Sequence, residues 1–280
     1  MNLICIGAHP DDPEVFAGGV MTLFARAGHR VLAVSLTNGD IGHHEMGGGA
    51  LAQRRAAEAR AAAEIGGYTS LALDHHDGEL VADLPLRREV VRLIREHEAD
   101  VVLTHRTNDY HPDHRYTSQA VQDAAFMVTV PQFCPDVPAL RRNPIFLYLF
   151  DPFTQPAPFR ADIVLPVDGV MDVKWRLLDA MASQFYEWLP WLDGRLEEVP
   201  PASKGETARR VWLEGFFGPE LELPAQVCRE RLRAQLGNRA DAIRYVEAFQ
   251  LCEYGSRPRD AVALASLFAP VLNPDGGAST

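Results

Sequence analysis

The sequence predicts an α/β protein with an open, mainly parallel sheet and helices on both faces, a three-layer arrangement followed by a less regular C-terminal portion. Two observations lead there. Short apolar runs alternate with helix-like segments four times by residue 128, the signature of repeated strand–helix units. Most of those runs are near-continuously apolar, as strands covered on both faces are. With 280 residues, 47% of them hydrophobic, the chain has enough apolar material for one large core. We therefore expect a single domain over 1–280, with a core in 1–150 and, in 151–280, a portion that completes the sheet and the substrate cleft.

Residues 2–8 read as a buried strand and 18–28 as a helix ending at Gly28. "RVLAVSLTNGD" is a second buried strand with a turn at Asn38-Gly39. "ALAQRRAAEARAAAEIGG" is an Ala-rich helix stopped by Gly66-Gly67. "SLALD" is a third strand. "LPLRREVVRLIREHEAD" has helical apolar spacing, with Pro85 near its start. "DVVLTH" is a fourth strand and "HRYTSQAVQDAAFMV" a fourth helix. Further on, "IFLYLF" and "DIVLPVD" read as strands and "VMDVKWRLLDAMASQF" as a helix. Residues 186–225, with Trp188, Trp191, Trp212 and repeated Pro and Gly, suggest packed loops and short helices. "RYVEAFQLCE" reads as a closing strand and "NPDGGAST" as a frayed tail.

Composition narrows the function. Basic residues number 27 and acidic residues 38, a net charge of −11, which disfavours a nucleic-acid or anionic-membrane surface. No apolar stretch approaches the roughly 20 residues needed to span a bilayer. No basic segment followed by an apolar one opens the chain. Cys5, Cys134, Cys228 and Cys252 are scattered without metal or redox spacing. These features predict reduced thiols and a cytoplasmic protein. A homo-oligomer is compatible with the sequence.

Chemistry concentrates in two stretches at strand carboxyl ends, where ligands bind in open α/β sheets. "AHPDDPEVFAGG" follows the first strand and "NDYHPDHRYTS" follows the fourth. Together they offer His9, Asp11, Asp12, His111, Asp113 and His114. Adjacent carboxylates repel, and burying an unpaired charge costs several kcal/mol (order of magnitude); a cation removes that cost. Imidazole and carboxylate suit zinc, and a catalytic site keeps three protein ligands and an open position. Adjacent aspartates point differently, so one can bind metal while the other accepts a proton from water. A histidine opposite can stabilise the oxyanion or protonate the leaving amine. Pro10 and Pro112 stiffen the two loops.

These motifs resemble the zinc-dependent N-acetylglucosaminyl deacetylases of the PIG-L/LmbE type. "LTNGDIG", "RRAAEARAAAEIGG" and "KWRLLDAMASQ" extend the similarity over about the first 185 residues. The resemblance implies a Rossmann-like fold with a metal site at the strand ends. It implies that His9, Asp12 and His114 bind Zn2+, with other divalent ions such as Fe2+ as alternatives. It makes Asp11 the general base, places His111 at the oxyanion or leaving group with Asp113 behind it, and assigns Arg55 to substrate; Asn38 lies in a turn that lines the cleft. The expected partner is a small-molecule amino-sugar substrate that loses its N-acetyl group. Phe16 and the insertion-like "HHEMGGG" at 43–49 depart from the common pattern.

Each residue also has a simpler reading. Asp11 or Asp12 can cap a helix, which explains one of them but not both beside His9. Arg55, next to Arg54, fits a solvated helix face. His43 and His44 fit an ordinary loop, His105 a core or supporting position, and Asp109 a turn or a support for His111. His75, His76 and Asp77 lie near the active edge, and the tryptophans read as core. Two further functions fit the same motifs: an amidase for a larger acyl or thiol-sugar conjugate, and a non-catalytic sugar- or metal-binding module. The latter needs no base such as Asp11. A dinucleotide-binding protein is disfavoured, because the first strand lacks the Gly-x-Gly-x-x-Gly turn.

Overall fold

The computed structural model describes residues 1–269. Seven strands form one sheet in the order β3-β2-β1-β4-β5-β7-β6. β1 (Asn2–Gly7), β2 (Arg30–Thr37), β3 (Thr69–His75), β4 (Val101–Thr104) and β5 (Ile145–Leu149) pair in parallel. β7 (Val246–Gly255) lies between β5 and β6 (Ile163–Pro166), antiparallel to both. The protein is thus α/β with a mostly parallel sheet. "RYVEAFQLCE" does not close the sheet at its edge; β6 does.

Side-chain alternation along β1 builds the layers. Leu3 and Cys5 face one cluster with Val20 and Phe24 of α1 (Asp12–Arg26), Ala62 of α2 (Gly48–Gly66) and Leu177 of α5 (Met171–Ala180). Ile4 and Ile6 face the other, with Val90 and Ile94 of α3 (Leu84–Glu96) and Val121 of α4 (Pro112–Met127). β1 is flanked by β2 on one side and β4 on the other. Chain order therefore reverses at β1, which opens a crevice at its carboxyl end.

α1 begins at Asp12 rather than at residue 18, with Pro13 in its first turn, a position where the missing N–H costs nothing. Downstream, α5 stops at Ala180; a wide π-helical turn, Ser183–Trp188, and the short α6 (Leu189–Leu192) follow. The expectation of loops and short helices over 186–225 is overturned in part. α7 (Glu206–Val227) runs for 22 residues through Pro219 and Pro224. Buried Leu213, Leu221 and Ala225 anchor it, and Trp212 stacks on Phe216 one turn later. Such packing outweighs the local cost of proline. α8 (Arg229–Leu236) and α9 (Ala261–Leu267) complete the helices named here. The segment "NPDGGAST" lies outside the described residues. All four cysteines are free and buried, and no helix among the described residues is long and apolar enough to cross a membrane.

Candidate active site

The β1–α1 loop folds back on itself. Asp12 Oδ2 accepts from the backbone N–H groups of Ala8, at 2.9 Å, and His9, at 2.7 Å. The lack of a side chain at Gly7 permits this: a Cβ there would sit 2.6 Å from that of Asp12. Asp11 occupies the N-cap position of α1, yet its side chain makes no capping hydrogen bond. The capping role therefore explains neither carboxylate.

Asp12 meets the second motif across the crevice. His114 Nε2 lies 3.3 Å from Asp12 Oδ1 and 3.2 Å from His9 Nδ1. His9 Nδ1 lies 3.4 Å from Asp12 Oδ2. Donors bound at about 2.0–2.1 Å around a tetrahedral cation stand roughly 3.3–3.4 Å apart, the spacing seen between the His9 and His114 nitrogens and from each of them to one of the two Asp12 oxygens. Overlapping groups that could hold a metal are His9 with His111 and His114, Asp12 with His105 and His114, and His9 with Asp77 and Asp113. Electrostatics agree. Burial works to lower His9, but Asp113, Asp12 and Asp77 outweigh it and raise it well above the ordinary imidazole range. His114 is likewise disfavoured by burial but pushed up to about 9 by Asp12 and Asp109. Burial works to raise Asp12, and His114 and His105 hold it well below the usual carboxylate range. The pocket thus draws positive charge, which a bound cation would supply in place of protons.

Carboxylates approach the far nitrogens of the two imidazoles. Asp77 Oδ1 lies 3.1 Å from His9 Nε2. Asp109 Oδ1 lies 3.2 Å from His114 Nδ1 and accepts from the His111 N–H at 2.9 Å. His105 stacks flat on His114, with ring centroids 4.0 Å apart. Carboxylates on the far nitrogens of ligating histidines set the tautomer and the ring angle. Sequence reasoning left the direction of Asp77 open, and it missed Tyr110. The Tyr110 ring stands edge-on to both His111 and His114. Only its position beside "HPDH" could have signalled it.

Asp11 faces Arg55, whose Nη2 lies 3.3 Å from Asp11 Oδ1. Burial pushes Asp11 up to about 6; Arg55 pulls it down and Asp12 adds to the rise. Arg55 is itself buried and donates to the carbonyls of Gly39 and Pro10 at 3.2 Å each. The solvated face belongs instead to Arg54, which pairs with Glu187 and Glu58. Arg55 lines the cleft while bracing the loop that carries Asp11.

Other sequence-predicted residues sit differently from their expected roles. The Asp113 carboxylate does not stand behind His111. It accepts from the N–H groups of Gly78, at 2.6 Å, and Leu80, at 3.2 Å, and lies 3.5 Å from His9 Nε2. Only the Asp113 backbone N–H reaches His111, donating to Nδ1 at 3.2 Å. Asn38 is spent on the turn: its amide donates to Asp74 at 2.9 Å and accepts from the Asp40 N–H at 3.1 Å. The 43–49 loop is pinned aside, with His43 Nε2 2.7 Å from Glu187 and the His44 ring stacked on Trp191.

Two cavities meet at this centre. One, of about 340 Å³, is polar and lined by His9, Arg55, Asp77, His111, Gln184 and Trp188. The other, of about 440 Å³, is walled mainly by aromatic and aliphatic side chains. Asp11, Asp12, Tyr110, His114 and Leu189 line both.

The fold is thus α/β with a cluster of His and Asp side chains at the sheet's switch point. Residues 4–125 match the family described as PIG-L: GlcNAc-PI de-N-acetylase. A diacetylchitobiose deacetylase from Thermococcus kodakarensis is 30% identical over 206 residues, which is 68% of this chain and 74% of that protein. A 4-oxalmesaconate hydratase from Pseudomonas putida is 27% identical over 228 residues, 77% of this chain and 88% of that protein. Among solved structures, N,N'-diacetylchitobiose deacetylase from Pyrococcus horikoshii in complex with an inhibitor superposes with a TM-score of 0.69 at 20% identity, covering 89% of this chain and 83% of that one. The chain belongs to the PIG-L family and is an enzyme.

Proposed function

We propose that the protein is a divalent-cation-dependent amidohydrolase that removes the N-acyl group, acetyl in the simplest case, from an N-acetylglucosamine-type sugar or glycoconjugate. The observation that carries this reading is a carboxylate without a capping partner, Asp11, beside donor atoms of His9, Asp12 and His114 spaced for one cation. The 30% identical diacetylchitobiose deacetylase supports the substrate class.

His9, Asp12 and His114 would hold the ion, with zinc the best match to two imidazoles and a carboxylate. When bound, it lowers the pKa of its water and polarises the amide carbonyl. Asp11 takes the proton from the attacking water. Burial raises the Asp11 pKa above the ordinary carboxylate value, which favours its holding a proton during the reaction. His111 Nδ1 accepts the Asp113 N–H, and burial, His9 and His114 lower its pKa. Because Nδ1 accepts, the neutral ring carries its proton on Nε2, from which it donates to the carbonyl oxygen as negative charge develops. As the C–N bond breaks, Asp11 returns its proton to the leaving nitrogen. The carboxylic acid formed passes its proton to the freed amine, so a carboxylate and an ammonium group are the products.

The hydratase relative offers a second reading, water addition to a carboxylated substrate. Electrostatics disfavour it here. Such a substrate would meet Asp11, Asp12 and Asp77. Arg55, the one guanidinium lining either cavity among the described residues, is already held by Asp11 and two carbonyls.

The test is acetate and free-amine release from a panel of N-acetylglucosaminides, N,N'-diacetylchitobiose included, by cation-loaded protein. Stoichiometric release of both products supports the proposal. Intact amides throughout, with a cation bound, would sink it.

A further inference from the structure

Resting on the amidohydrolase reading, we infer that the second cavity is an acyl-chain subsite and that the acyl groups removed extend well beyond acetyl into uncharged aliphatic chains. Two cavities open from one floor, formed by Asp11, Asp12, Tyr110, His114 and Leu189. The scissile amide must lie on that floor to reach Asp11. The polar cavity, with Arg55, Asp77 and Gln184, suits a hydroxyl-bearing ring. The first carbon of the acyl chain is bonded to the reacting carbonyl carbon on the side away from the nitrogen, so the chain leaves the floor on the other side.

That side is built for hydrocarbon. Phe16, Phe153, Phe185, Leu192, Phe216 and Phe217 wall a space of about 440 Å³. A ligand pocket of that size encloses many heavy atoms, and an acetyl methyl would leave most of it unfilled. Phe16, the residue that departs from the common motif, is part of this wall. The 43–49 loop is held by Glu187 and Trp191 and does not line the space. Charge sets the limits of the chain. Asp193 and Glu220 are exposed lining residues, Asp109 and Asp151 also line the space and Asp11 and Asp12 lie at the floor, so an acyl group ending in a carboxylate meets repulsion along its whole path.

The experiment is a series of N-acyl glucosamines (acetyl, butanoyl, hexanoyl, octanoyl and succinyl) assayed by free-amine release, with octyl N-acetylglucosaminide alongside. Full burial of a methylene raises kcat/KM about fourfold. We expect a rise of at least about tenfold from acetyl to hexanoyl, and succinyl below butanoyl. Leu192 is exposed, so Leu192→Asp should fold; it should lower hexanoyl turnover about tenfold more than acetyl turnover. A fall in kcat/KM with acyl length, or a gain confined to the octyl glycoside, would overturn the assignment. Cleavage of none, acetyl included, refutes the amidohydrolase reading instead. Binding to Asp11→Asn by calorimetry then judges the cavity alone: N-hexanoyl tighter than N-acetyl glucosamine supports it, and equal or weaker binding overturns it.

Discussion

Arg55 Nη2 stands 3.3 Å from Asp11 Oδ1, and the same guanidinium holds the carbonyls of Pro10 and Gly39. One buried side chain thus sets both the charge and the position of the proposed base. Arg55→Gln should lower kcat about ten- to hundredfold while cation content stays at the wild-type level, since small displacements of a reacting group cost rates of that order. Gly39 has φ +68, and a Cβ there would fall on the Arg55 guanidinium. Gly39→Ala should therefore reproduce the Arg55→Gln defect. Parallel kinetics and elemental analysis check both.

Asp77 and Asp109 back the far nitrogens of His9 and His114. Losing such a partner typically weakens metal binding about 10- to 100-fold. Asp77→Asn and Asp109→Asn should each show that loss in a competitive chelator titration. Unchanged affinity in both would remove the two histidines from the ligand set.

The sequence showed the two motifs and their placement because strand–helix alternation and His/Asp spacing are local signals. It did not show Asp77 against His9, a contact made across 68 residues that depends on the direction in which one side chain leaves β3's loop. Nor could local signals foresee α7, where Pro219 and Pro224 argue against a helix that Leu213, Leu221 and Ala225 nevertheless bury. β7 reads as a strand, but its insertion between β5 and β6 is a property of the whole sheet. Nor could the sequence show that the Asn38 amide bonds Asp74 and the Asp40 N–H, because an Asn-Gly turn and a cleft-lining amide look alike in one dimension.

Lys174 and Glu247 form a buried pair at 2.5 Å that grips α1. Glu247 also accepts from the N–H groups of Gly19 and Val20, and Lys174 donates to Val15 O. Lys174→Met leaves a buried carboxylate without its cation, and urea unfolding should show a loss of about 3–5 kcal/mol.

Glu187 joins Arg54 and His43 at the edge of the 43–49 loop. Burial works to raise Glu187, but Arg54 and His43 outweigh it and hold it below the usual glutamate value. A depressed carboxylate contributes stability above its unfolded pKa of about 4.3 and loses it as pH falls through the folded value. Thermal melts of Glu187→Gln should run below wild type at pH 7 and converge with it in acid. The gap should be small, because partly exposed pairs contribute about 1 kcal/mol or less.

The central claim divides labour between neighbours: Asp12 holds the cation and Asp11 moves the proton. Cation content and acetate release, measured together on wild type and Asp11→Asn, test it most directly. The account predicts one equivalent of cation in both proteins, and acetate release reduced at least about 100-fold in the variant. Equal release from the two proteins, or loss of the cation with Asp11, would contradict it.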